Sequence, residues 1–221
     1  MFSRRFLIAA LFLAACASAP EPSVIEAAGE PVVAFRNVTV ITEYGGDRLQ
    51  HHTLAVRGDR IIAIGPDAEI VLPEGATVVD GDGRILAPGI SDMHVHYQDP
   101  SVGILLLANS ITTVRNPSGF GIGNGPETTL GLADRIARGD AVGPFIYSSG
   151  QLIDGPGSFW GPQVVVETVE GVRERVRQDA EAGYPAIKLY AQLSPEQFRA
   201  GVEEARDRGL QVYSHVPAAM T

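Results

Sequence analysis

Four side chains of types that bind metal ions lie within short apolar runs of this sequence. His94 and His96 stand two residues apart in "GISDMHVHYQDP", Lys188 lies in "YPAIKLY" and His215 lies in "LQVYSHV". Imidazole nitrogens are common ligands of zinc and related ions. Each residue also has an ordinary structural explanation, because H-x-H pairs occur by chance and a lone strand lysine usually extends its amine to solvent. Their joint placement, rather than any single residue, predicts a metal site.

The chain around these residues alternates short apolar strands with helical segments. Strands are predicted at 90–96, 111–116, 144–150, 184–190 and 210–216. Helices are predicted between them, and the last has Ser194 as its N-cap, Pro195 at the first helical position and Gln197 at the capping-box position. This alternation of strand and helix is typical of a parallel sheet.

The spacing of the strands favours a barrel over an open sheet. From His94 to His215 the strands recur about every 30 residues, close to the ~31 of a complete (β/α)8 barrel. An open doubly wound sheet is the alternative, but no G-x-G-x-x-G follows the first strand. The sequence therefore predicts an α/β fold with an incomplete (β/α)8 TIM-type barrel of about five βα units. The carboxyl ends of barrel strands form the active-site face, so the four side chains should converge there.

A region of short β-patterns precedes the barrel strands. Runs at 32–42, 53–58 and 60–66, with two more strands within 76–89, predict a small β-sandwich. His51 and His52 fall between two of these runs, and we interpret them as surface residues.

The first residues are typical of a bacterial export signal. Arg4 and Arg5 precede an apolar run that is about half of the ~20 residues needed to span a bilayer. The following "LAAC", which ends at Cys16, resembles a lipobox and implies that Cys16 becomes an acylated N-terminus. The expected location is then the bacterial cell envelope, with the periplasmic side of the outer membrane favoured. The alternative is a free cysteine in a discarded peptide.

These patterns divide the sequence into four predicted segments. They are a signal peptide at 1–15, a lipidated tether at 16–31, a composite β-sandwich domain at 32–89 and a partial barrel at 90–221. The net charge of -9 argues against a nucleic-acid partner, because binding phosphates requires clustered positive charge.

The segment "ILAPGISDMHVHY" resembles the first barrel strand of the amidohydrolase superfamily, which carries Pro-Gly, an apolar residue and Asp-x-His-x-His. The preceding sandwich and the segments "ITTVRN", "AIKLY" and "VYSHV" resemble the imidazolonepropionase and prolidase-like branch. The resemblance covers residues 32–216. It implies a metal-dependent hydrolase that cleaves C–N bonds of small amide, lactam or dipeptide-like substrates.

The resemblance also implies a role for each candidate ligand. His94 and His96 would bind one divalent ion and His215 a second, and the two ions are commonly zinc. Lys188, carbamylated by carbon dioxide, would bridge them. Carbamylation requires a neutral amine, which burial beside positive charge favours.

Two parts of this pattern cannot be assigned in the 221 residues: a histidine from a sixth strand and an aspartate from an eighth that would act as general base. In addition, Asn116 replaces an aspartate often present in relatives, and the loop at 155–162 lacks a histidine that some carry. We therefore expect little hydrolase activity from these residues alone. Three hypotheses stay open: the N-terminal portion of a metal-dependent amidohydrolase, a non-catalytic membrane-anchored lipoprotein, or a half-barrel completed by a partner chain, including a second copy.

Overall fold

The fold is given by a computed structural model that describes residues 22–27, 29–43, 45–97, 99–119, 128–158 and 163–221. Cys16 and the predicted export signal lie outside these residues, so lipidation stays a prediction. The chain divides into two compact units, the first ending at Pro88 and the second beginning at Gly89. Within the described ranges, no helix has the length and apolar character needed to cross a membrane.

The described part of the first unit consists of strands. They are β1 (Ser23–Val24), β2 (Val32–Ile41), β3 (Arg48–Arg57), β4 (Arg60–Pro66), β5 (Ile70–Val71), β6 (Thr77–Asp80) and β7 (Ile85–Leu86). The larger sheet has the order β4-β3-β2-β6, with β7 also paired to β2, and β1 pairs with β5. A tight turn at Gly58, whose φ is 56°, joins the antiparallel strands β3 and β4. The predicted all-β region before the barrel strands is thus confirmed.

The two faces of β2 have different surroundings. Val32 and Ala34 are buried with Ala55 in a small apolar core. Phe35 alternates with Ala34 and lines, together with Ile61 and other apolar residues, a groove of about 340 Å³. Ile61 is 61% exposed, so this apolar face is open among the described residues.

The second unit alternates parallel strands with helices. Its elements are β8 (Ile90–Asp92), α1 (Pro100–Ala108), β9 (Ile111–Asn116), α2 (Thr129–Ala137), β10 (Phe145–Asp154), β11 (Gln163–Val165), α3 (Val169–Glu181), β12 (Ala186–Leu189), α4 (Pro195–Asp207), β13 (Gln211–Ser214) and a 3-10 turn at Ala218–Met220. The strands run in the order β13-β12-β10-β9-β8, and β11 pairs with β10. All of these pairings are parallel. The predicted α/β fold with part of a TIM-type barrel is confirmed.

The helix boundaries follow from local chemistry. The Ser194 hydroxyl accepts the Gln197 N–H at 3.2 Å, and the Gln197 side chain accepts the Ser194 N–H at 2.8 Å, which completes the predicted capping box of α4. Gly139, Gly183 and Gly209 follow α2, α3 and α4 with φ of 77°, 89° and 70°. Glycine adopts this left-handed conformation without steric cost, so it is well suited to end a helix.

The helices cover one face of the parallel sheet. Ile153 of β10 and Ile187 and Leu189 of β12 are fully buried against Val172 and Val176 of α3. Because side chains alternate along a strand, the residues between these apolar positions face the opposite side of the sheet, which is the barrel interior.

Several sequence predictions differ from the structure. β10 continues to Asp154, past the predicted end at 150, and β11 was not predicted. Its three residues pair with the last three residues of β10, so a tertiary contact, not a strong local pattern, makes it a strand. His51 and His52 lie within β3, not between strands. His51 is exposed, in agreement with its interpretation as a surface residue, and His52 is half-buried.

Candidate metal centre

Lys188 lies inside the curved sheet. It is placed between Ile187 and Leu189, which pack against the helices, so its own side chain faces the barrel interior. Lys188 is only 4% exposed, and its amine is 5.7 Å from the ring centroid of Tyr190. Burial lowers the pKa of Lys188, and the nearby positive charge of Arg115 lowers it further. The lysine is therefore in an environment that favours a neutral amine.

His94 and His96 lie beyond the strand on which they were predicted. β8 ends at Asp92, but the N–H of Val95 still donates to the carbonyl of Arg115 at 3.0 Å. Val95 packs into the apolar core on the helical side, so the two histidines on either side of it face the other way. Their ring centroids are 5.3 Å apart.

Asp92 supports this segment. Its carboxylate accepts the backbone N–H of His94 at 3.0 Å, which fixes the turn of the chain at the end of β8.

His215 follows β13 directly. Its N–H donates to the carbonyl of Leu189 at 3.2 Å, which extends the pairing of β12 and β13 by one bond. The ring of His215 lies 4.3 Å from that of Tyr190, centroid to centroid. Tyr190 was not identified from the sequence, although its position two residues after Lys188 places it on the same face of the strand.

The charges of Lys188 and His94 act on the pKa values of His96 and His215. Burial lowers the pKa of His96, and the positive charges of His94 and Lys188 add to this effect. Burial also lowers the pKa of His215, again with contributions from Lys188 and His94, whereas Asp154 acts in the opposite direction. Residues from three separate strand ends are thus brought to the carboxyl edge of one sheet.

Arg115 is a second cation in the barrel interior that sequence reasoning missed. Its Nε donates to the carbonyl of Met93 at 2.7 Å, and its guanidinium lies 4.7 Å from the ring centroid of Tyr213. These contacts tie β9 to the end of β8 and to β13. The only signal in the sequence was its placement, one residue from the buried Val114 and therefore on the opposite face.

The donor set determines which metal chemistry these residues fit. Within the described residues, no three His, Cys, Asp or Glu side chains are grouped closely enough to hold an ion. His94 and His96 offer two imidazole nitrogens, a donor type that suits zinc. Lys188 could add a third donor only as a neutral amine or as a carbamate. The buried amine meets this requirement, so the residues fit the implied metal.

Asn116 does not face this cluster. It is fully buried, and its amide lies 3.4 Å from the hydroxyls of both Thr129 in α2 and Ser148 in β10. Asn116 alternates with Arg115 and is therefore on the helical side of the sheet. The presence of Asn116 in place of the aspartate often found in relatives therefore affects the packing of α2 rather than the candidate ligands.

Comparisons with known proteins show which enzymes this chain is similar to. No protein-family model matches the sequence. An adenine deaminase of Rubrobacter xylanophilus is 26% identical over 183 residues, which cover 76% of this chain and 30% of the deaminase. An ochratoxinase of Aspergillus niger is 26% identical over 262 residues, covering 88% of this chain and 52% of the ochratoxinase. A solved putative prolidase from Bifidobacterium longum has a TM-score of 0.72 at 29% identity, covering 86% of this chain and 50% of the prolidase.

The fold and the relatives are similar to those of amidohydrolase-type hydrolases. The similar proteins are hydrolytic enzymes, and their matches support the amidohydrolase superfamily as the class of this chain. The chain spans about half, or less, of the length of these relatives.

Proposed function

We propose that the chain forms the metal-binding part of a hydrolase that cleaves C–N bonds in small amide, lactam or dipeptide-like molecules. The observation that carries the proposal is the placement of His96 after β8, Lys188 in β12 and His215 after β13, at the carboxyl edge of one parallel sheet. In barrels of this type, that edge is where active sites lie. The similar proteins include an adenine deaminase and a protein described as a putative prolidase, and both names favour the same reaction class.

In this proposal each residue has a separate task. His94 and His96 hold one ion, and His215 lies where it can hold a second. Lys188 contributes through a carbamate on its amine, which converts a cation into an anionic oxygen ligand. A bound divalent ion would supply polarisation of the substrate carbonyl and a more acidic water.

The first test of this proposal is metal analysis of the purified chain. We expect zinc to bind the wild-type chain, with His94→Ala and Lys188→Ala each reducing the bound metal by about tenfold or more. His51→Ala is the matched control, because His51 is an exposed histidine in the other unit. Equal metal content in all four proteins would show that the ligand assignment is wrong.

The carbamate requires its own measurement. Isotope-labelled bicarbonate should give a carbamate carbon signal in NMR of the wild-type chain, and Lys188→Ala should lack it. Assays on dipeptides and lactams then test the reaction class, and the expectation of low activity from these 221 residues alone stays a prediction. Robust turnover would contradict that expectation and support the proposed chemistry.

We also propose that Cys16 carries the lipid anchor. The basic residues, short apolar run and "LAAC" segment support it. Cys16→Ser should move the expressed protein from the membrane fraction to the soluble fraction, and unchanged fractionation would exclude this anchor.

A further inference from the structure

Asp154 is a buried carboxylate beside the candidate metal centre that neither the sequence motifs nor the proposed function assigns. It is the last residue of β10 and is fully buried. Leu152 pairs with Lys188 across β10 and β12. Since Asp154 is two residues beyond Leu152, it lies on the same face of the sheet as Lys188. This is the face that carries the candidate ligands.

The carboxylate of Asp154 connects two loops at the carboxyl edge of the sheet. Its Oδ1 accepts the N–H of the adjacent Gly155 at 2.9 Å and the N–H of Gln192, 38 residues away, at 2.7 Å. Its Oδ2 is buried and has no hydrogen-bond partner among the described residues. Hydrogen bonds to a charged acceptor are stronger than those between neutral groups, so this contact should fix Gln192 firmly.

The two loops also approach closely at Gly155. A Cβ atom at this position would lie 2.0 Å from the carbonyl oxygen of Gln192, which no real side chain could tolerate. Glycine is therefore required for the contact that places the Gln192 N–H on the Asp154 carboxylate.

The loop held in this way carries a ring that contacts a candidate ligand. Tyr190 donates its N–H to the carbonyl of Ile153 at 3.0 Å, and Ala191 accepts the N–H of Ala218 at 2.9 Å. The ring of Tyr190 lies 4.3 Å from that of His215. A change in the path of residues 190–192 would thus move the surface against which His215 packs.

The charge of Asp154 also affects the pKa values of Tyr190 and His215. It raises the pKa of Tyr190 in addition to the effect of burial, and it opposes the lowering of the pKa of His215. The carboxylate is therefore near Tyr190 and His215, as the hydrogen bonds indicate.

We propose that Asp154 is a positioning residue, which holds the loop Tyr190–Gln192 through its Oδ1 and thereby holds Tyr190 against His215. The consequence for metal binding rests on the proposed function, but the positioning itself does not. Partners that orient metal ligands typically contribute about 10–100-fold to metal affinity.

The positioning is tested by NMR of the metal-free chain. Asp154→Ala should speed hydrogen exchange of the Gln192 amide and shift the ring signals of His215, while Asp154→Asn, which keeps an acceptor at Oδ1 but removes the charge, should give clearly smaller changes in both. The matched control is Asp179→Asn, because Asp179 is also a buried carboxylate, 1% exposed, but packs on the helical side of β10. Unchanged His215 signals in Asp154→Ala, or an equal shift in Asp179→Asn, would overturn the inference.

A second variant disrupts the contact between Asp154 and Gln192 without altering the carboxylate. Gly155→Ala must displace Gln192, so it should reproduce the His215 shift even if Asp154→Ala fails to fold. If Asp154→Asn shifts the His215 ring as much as Asp154→Ala does, the hydrogen bond to Gln192 is not the basis of the positioning, and the inference fails.

Zinc titration then measures the effect on the metal centre. We expect about tenfold or weaker binding in Asp154→Ala and a clearly smaller loss in Asp154→Asn. Equal affinity in Asp154→Ala and wild type would contradict the positioning role. If the wild-type chain binds no zinc, the proposed function fails, whereas the His215 signals still decide the role of Asp154.

Discussion

Lys188 shows how the surroundings of a residue change the protonation that its side chain favours. A lysine amine in water is protonated, and its positive charge cannot bind a metal ion. Here the side chain is buried, and the charged neighbour that affects it is another cation, Arg115. Both effects disfavour the protonated amine. The same residue at the surface would be a solvated charge without this chemistry.

Asp179 is a second buried charge whose state depends on pH. It is 1% exposed, and its Oδ1 accepts a hydrogen bond from Arg175 at 2.6 Å. Burial raises the pKa of Asp179 from 3.8 to about 6, although Arg175 acts in the opposite direction. The folded protein therefore binds this proton more tightly than the unfolded chain does.

We expect Asp179 to make the unfolding free energy fall as pH rises. Its stabilising contribution is fully present below about pH 4 and is lost as pH rises through about 6, a change of about 3 kcal/mol. Urea unfolding gives the free energy of unfolding of wild type and of Asp179→Asn at several pH values between about 4 and 6. The change with pH in the difference between the two proteins measures the contribution of Asp179.

An exposed carboxylate provides the control for this prediction. Asp140 forms an exposed ion pair with Arg138 at 3.1 Å, and exposed pairs contribute little to stability, so Asp140→Asn should change the free energy of unfolding by less than about 1 kcal/mol. A pH-independent difference for Asp179→Asn would contradict the shifted pKa.

At the scale of single elements, α4 is the clearest case of local chemistry. Its capping box satisfies two backbone N–H groups at the N-terminus of the helix. Gln197 is buried, and its amide also donates to the carbonyl of Val166 at 3.2 Å. The cap therefore joins α4 to the segment that precedes α3.

Ser194→Ala should lower the free energy of unfolding by about 1 kcal/mol, because the Gln197 N–H loses its acceptor. Gln197→Ala should cost more, since it also removes the bond to Val166. Chemical denaturation measures both changes. Ser194→Asn retains a capping oxygen and should stay close to wild type, and a loss equal to that of Ser194→Ala would argue against capping as the cause.

The strand β10 shows the opposite case, in which the local sequence pattern does not predict which residues face the barrel interior. Its register with β12 shifts between Ser149 and Leu152, which indicates a β-bulge. The shift sets which residues of the strand end face the barrel interior, and it places Asp154 on the side of Lys188. No short sequence signal marked this irregularity.

At the scale of the whole molecule, the candidate ligands belong to three βα units. They follow β8, lie within β12 and follow β13, so a bound ion would link segments that are more than 90 residues apart in sequence, from His94 to Lys188. A ligand that binds the folded state and not the unfolded chain raises stability by mass action.

Zinc should therefore raise the Tm of the wild-type chain. At zinc concentrations about 100 times Kd the stabilisation is ~2.7 kcal/mol, which corresponds to roughly 5–10 °C for a chain of this size. Circular dichroism with zinc, and again after a chelator is added, measures the shift and its reversal. Lys188→Ala should show a much smaller rise, and an equal rise in both proteins would place the stabilising ion elsewhere.

The sequence predicted the order of the barrel elements well. ITTVRN forms β9 over the predicted residues Ile111–Asn116, and α4 begins at the predicted cap, Ser194. These features depend on alternation and on side-chain chemistry within a few residues. β11 and the extension of β10 were missed because they are stabilised by pairing with other strands rather than by a local pattern: β11 pairs with β10 across a loop, and the end of β10 pairs with β12, 36 residues away.

For the candidate site, the sequence by itself determined which ligand types are present and their spacing: the H-x-H pair, Lys188 and His215 at intervals that match barrel units. Only the tertiary structure decided that Arg115 and Asp154 lie on the same face of the sheet as these candidate ligands. Alternation assigns a residue to a face of its own strand, but the neighbours across that face depend on strand register and on loops such as Tyr190–Gln192. Register and loop contacts are long-range properties, and a linear pattern of residue types does not encode them locally.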